Sequence, residues 1–90
     1  MSVSQLQSTL LPHSPELNFE RHGFRFQRLT EVRWRISNTT GAVVGYLEER
    51  PTALASDRWA IMRMTADRRG FLTLGAFASM AEATAALKWM

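Results

Sequence analysis

Arginine is the side chain in this sequence best suited to act on a partner. Lys88 is the only lysine among the 11 basic residues. A guanidinium makes two parallel hydrogen bonds to a phosphate or a guanine edge, which an ammonium cannot do. Most of the arginines fall in two runs: Arg21, Arg25, Arg28, Arg33 and Arg35 stand against Glu31 alone, and Arg58, Arg63, Arg68 and Arg69 against Asp67. In the first run Arg25, Arg33 and Arg35 share odd parity, which places them on one side of an extended chain. Arg58 and Arg63 could join them from the second run, but their opposite parity requires a bulge for both to do so. A twisted sheet presenting such a row can enter a major groove. Two other readings compete. The Arg excess, with abundant Ala, is what a GC-rich coding sequence produces, and a net charge of +3 is ordinary for a small domain. Glu48 and Glu49 lie between the two runs and can pair with Arg across a sheet, leaving little net field.

Other chemistries have less support. The chain has no Cys, so disulfides, thiolate metal sites and a cysteine nucleophile are excluded. The histidines are His13, beside two prolines, and His22. There is no nucleophile elbow, no metal-ligand spacing and no Gly-rich phosphate loop. The expectation is a protein that is not an enzyme and needs no cofactor, metal or small-molecule substrate. No apolar run approaches the roughly 20 residues of a membrane span, and no signal-peptide pattern is visible, so the expected location is cytoplasmic.

Residues 1–18, rich in Ser and Gln with Pro12 and Pro15, read as a flexible N-terminal arm. Within it Val3, Leu6 and Leu10 allow a short amphipathic helix over Ser2–Leu11. Residues 19–90 read as a single small domain. From Gly23 the period becomes two: Phe24, Phe26, Val32, Trp34 and Ile36 alternate with Arg25, Gln27, Glu31, Arg33 and Arg35. Residues 24–37 form either one bent strand or two strands meeting near Thr30. Ser37–Gly41 is a turn, Val43–Glu48 a returning strand and Pro51–Asp57 a loop. Trp59–Thr65 and Phe71–Phe77 form a second hairpin, with Gly70 expected in left-handed geometry and Gly75 at a bulge or close contact. Ser79-Met80-Ala81-Glu82 is a capping box opening a helix that runs to the end of the sequence, with Met80, Ala83, Leu87 and Met90 as its apolar stripe. The fold class is therefore α+β: an antiparallel β-meander of four or five strands packed on one C-terminal α-helix. Trp34 and Trp59 belong to its core, while Trp89 either packs back onto the sheet or serves a subunit contact.

Trp34-x-Ile36…Gly41…Gly45-Tyr46 has an echo in Trp59-x-Ile61…Gly70…Gly75-Ala76, which suggests a duplicated hairpin. Over residues 58–88, the segment Arg58-Trp59-Ala60, the hairpin through Gly70, Leu74-Gly75-Ala76-Phe77-Ala78-Ser79 and the Ala-rich helix resemble the AP2-type DNA-binding domain. They are also similar in plan to the arm-type domains of phage integrases. That resemblance implies a sheet read into the major groove. It implies DNA contacts from Arg58, Trp59 and Arg63, with Leu74, Phe77, Ala83 and Leu87 holding helix to sheet. The leading expectation is a small nucleic-acid-binding protein of phage or mobile-element type, contacting duplex DNA through Arg25, Arg33, Arg35, Arg58, Trp59 and Arg63. The alternative is a non-catalytic protein-interaction module, possible as a homodimer, using a strand edge, the Ala-rich helix or the Val3–Leu11 segment.

Overall fold

The computed structural model describes residues 17–90. Its elements are β1 (Asn18–Arg21), β2 (Phe24–Thr30), β3 (Arg33–Ser37), β4 (Val43–Glu49), β5 (Trp59–Met64), β6 (Phe71–Phe77) and α1 (Met80–Ala86), with short 3-10 turns at Ala55–Asp57 and Leu87–Trp89. All six strands form one antiparallel sheet in sequence order. The expected meander is present, but with six strands rather than four or five. One of the two strands beyond four comes from residues 24–37, which break at Glu31-Val32 into β2 and β3, the two-strand alternative. There the Arg28 guanidinium donates to the carbonyls of Thr30 and Glu31, both at 3.0 Å. The other is β1, in a stretch the sequence reading did not assign to the sheet. Arg21 pairs with Phe24, so only His22 and Gly23 make the turn. Their φ values of 55° and 81° share the sign pattern of a type I′ hairpin, whose twist matches that of the flanking strands. The helix expected over Ser2–Leu11 lies outside the described residues.

The even-parity side chains of β2 and β3 and the odd-parity ones of β4 and β5 form the core. Phe26, Trp34, Ile36 and Leu47 are fully buried, with Trp59 and Ile61 beside them and Ala83 and Leu87 from the helix side. Phe19 stacks on Phe26 with ring centroids 4.6 Å apart, and Trp34 lies 5.9 Å from Trp59. This places β1 in the same apolar layer. Two of the four residues in the expected helix stripe, Ala83 and Leu87, are buried; Met80 is half-buried and Met90 exposed. Ser79 Oγ accepts the Glu82 N–H at 3.1 Å, which is one half of the capping box. The return bond to the Glu82 carboxylate is not made among the described residues.

The two-fold echo is structural. Ile36 pairs with Gly45 and Ile61 with Gly75, and each pairing is followed by a one-residue bulge that leaves Val44 or Leu74 unmatched. The shared bulge explains both glycines. A Cβ on Gly45 would lie 2.8 Å from the Met62 carbonyl oxygen, and one on Gly75 would lie 3.0 Å from the Phe77 ring and 3.1 Å from the Met90 methyl. At the β5–β6 turn the left-handed residue is Arg68, with φ 60°, and not Gly70. Asp67 makes that geometry possible by accepting the Thr65 hydroxyl at 2.6 Å and the Arg69 N–H at 3.1 Å.

Candidate functional site

Strand parity brings Arg25, Arg33 and Arg35 to the sheet face opposite the aromatic core, as the alternation predicts. What they meet there decides their availability. Arg33 pairs directly with Glu48 across β3 and β4. Its guanidinium donates to Glu48 Oε2 at 2.7 Å and lies 4.7 Å from the Phe71 ring centroid. Its Nε is buried with no hydrogen-bond partner. Glu48 Oε1 accepts a second bond, from Arg50 Nε at 2.8 Å. Burial works to raise the Glu48 pKa, but the hydrogen bonds and charges of Arg33 and Arg50 outweigh it and hold the carboxyl below its ordinary value. Glu48 therefore stays ionised and answers two arginines at once. Arg25 faces Glu20 at 3.3 Å, with both side chains largely exposed. Such a pair contributes little to stability and leaves Arg25 open to solvent. Arg35 makes no ion pair among the described residues.

The remaining sequence candidates are elsewhere. Trp59 is only 9% exposed and packs against Trp34, so its ring is not presented to a ligand. Arg63 pairs with Leu72 and lines a cavity with Ile61 and Leu87, which puts it on the helix side. The bulge that could have re-aimed it lies in β6, not β5. Arg58 precedes β5, where its carbonyl accepts the Arg50 N–H. The structure thus groups Arg25, Arg33 and Arg35 and separates Trp59 and Arg63 from them.

Arg50 was not singled out from the sequence. Besides Glu48 it reaches Met62 Sδ at 3.4 Å and Thr73 Oγ1 at 3.2 Å, tying β4 to β5 and β6. Its spacing from Glu48, two residues along the same face, was the available signal. Edge strand β6 is a second feature. Its sequence, Phe71-Leu72-Thr73-Leu74-Gly75-Ala76-Phe77, carries no charge and no proline. Leu72 and Leu74 are exposed, and at the end of the chain Trp89 is 87% exposed. His22 is exposed in the β1–β2 turn. Among the described residues no group of three or more His, Asp or Glu could hold a metal ion, and no helix is long and apolar enough to cross a membrane. In comparisons with known proteins, no family model, curated protein or solved structure matches this chain.

Proposed function

We propose that this chain is a non-catalytic interaction module that pairs with a second copy of itself through the β6 edge. The observation carrying this reading is the contrast between the two edges of the sheet. β1 has four residues and includes Glu20 and Arg21, while β6 has seven and is uncharged. Short, charged edges resist strand addition, and long, uncharged edges invite it. An uncharged strand meets its own copy without repulsion, and two-fold symmetric dimers are the commonest homo-oligomers. Pairing through β6 leaves only β1 edges outside, so association stops at two copies. The C-terminal turn passes over β6 at Gly75, where the Met90 methyl approaches. Trp89, its neighbour in that turn, is exposed, and exposed aromatic residues of this kind are typical interface anchors.

The nucleic-acid reading keeps one supporting observation: the face opposite the core carries Arg25, Arg33, Arg35 and Arg50 against Glu20 and Glu48. It ranks second because Glu48 occupies two of these arginines and because Trp59 and Arg63 are not on that face. Sedimentation equilibrium over a concentration series tests the first reading. The expected result is a monomer–dimer equilibrium in the wild type, shifted to monomer by Leu72→Lys with Leu74→Lys, the variant retaining its circular dichroism. A wild type that stays monomeric at millimolar concentration refutes it. Binding to duplex DNA that falls steeply with salt and is lost in Arg25→Ala with Arg35→Ala would favour the second.

A further inference from the structure

The β4–β5 ladder ends at the pair Tyr46–Met62, yet β4 continues to Val43 and β5 to Met64. The two hairpins diverge there and leave an open notch of about 530 Å³, lined by Val43, Val44, Tyr46, Arg63, Met64 and Arg68 together with Gly45. On the helix side a smaller cavity of about 170 Å³ is walled by Phe24, Ile61, Leu74, Leu87 and Met90. Val44 and Arg63 line both cavities, so the two adjoin across these side chains. No acidic residue lines either part.

We propose that these adjoining cavities bind a small amphipathic oxyanion, a carboxylate or phosphate ester on a body about the size of one aromatic ring. The head sits between Arg63 and Arg68 and the body lies against Leu87. Charge complementarity carries the assignment. Arg33 and Arg50 are answered by Glu48, whereas Arg63 and Arg68 have no side-chain hydrogen bond or ion pair among the described residues, and neither has the Tyr46 hydroxyl. Two guanidiniums supply the donors an oxyanion needs. The apolar part is close to the cavity size, roughly 150 Å³, that accepts benzene in a protein interior. The inference does not depend on the pairing of β6.

Amide chemical-shift titrations of the full chain test it, with 3-phenylpropionate and phenyl phosphate as probes. The neutral 3-phenylpropanol and inorganic phosphate are controls for body and head alone. Both probes are expected to give saturable shifts at Val44, Gly45 and Tyr46, and the tighter of the two identifies the head group. Affinity should fall about tenfold in Arg63→Gln and again in Arg68→Gln, and change less than twofold in Arg35→Gln. Arg63 and Arg68 are exposed and Arg35 is half-buried, and spectral dispersion confirms that each variant is folded. The proposal is overturned if neither probe saturates at millimolar concentration, if the alcohol binds as well as the anions, or if Arg63→Gln and Arg68→Gln bind like wild type. Duplex DNA shifting the same amides while both probes leave them unmoved would also overturn it.

Discussion

Replacing Glu48 by Gln tests the central electrostatic claim, that one carboxylate pairs with two arginines on the exposed sheet face. The amide keeps the shape and one acceptor but turns an NH2 group toward a guanidinium and removes the charge. The bonds lost or weakened are those to Arg33 at 2.7 Å and Arg50 at 2.8 Å. Fully buried charge-assisted bonds contribute about 1.5–3 kcal/mol each. Here the Arg33 and Arg50 side chains are 32% and 35% exposed and Glu48 is 17% exposed. Water compensates part of the loss, and about 1 kcal/mol per bond, or about 2 kcal/mol in all, is the expected cost. For a domain of this size that lowers the midpoint of thermal unfolding by about 8–16 °C. The pH profile supplies an independent check. The Glu48 pKa is lowered in the folded state, so its contribution is fully present above the ordinary value of 4.5 and is lost as pH falls through the folded-state value. Wild type and Glu48→Gln should therefore differ at neutral pH and converge in acid. A variant within about 0.5 kcal/mol of wild type at pH 7, the range of ordinary surface substitutions, would refute the pairing. So would a stability gap that does not close in acid.

Gly45→Ala should destabilise by about 2 kcal/mol or more, because its Cβ meets backbone, the Met62 carbonyl oxygen at 2.8 Å. Gly75→Ala should cost less than about 1 kcal/mol, because the atoms it meets belong to the movable side chains of Phe77 and Met90. Urea unfolding of the pair checks the order, and equal costs would show that the two bulges are not held as described. His22→Val, a β-branched residue forced to φ 55°, should lose about 1–2 kcal/mol, while His22→Asn should stay near wild type. The same urea assay reads this out.

Much of the sheet was legible because a strand's side chains alternate strictly. The parity of Phe24, Phe26, Trp34 and Ile36 fixed which face would be buried, and Ser79 and Glu82 marked the start of the helix. β1 was not legible. Residues 18–21 hold one apolar side chain, Phe19, and its strand identity comes from stacking on Phe26, a contact between segments. The site was less legible than the fold. Sequence alone determined that Arg25, Arg33 and Arg35 share a face, since that depends only on the local backbone period. Tertiary structure decided which of them are paired, because Glu48 meets Arg33 through strand pairing and Arg50 through the path of its own long side chain. It also decided that Arg63 faces the helix, and that Arg63 and Arg68 line one notch where two hairpins part. Those placements depend on bulges and strand divergence, which a one-dimensional pattern does not encode, because an unmatched residue shows itself only against the strand opposite.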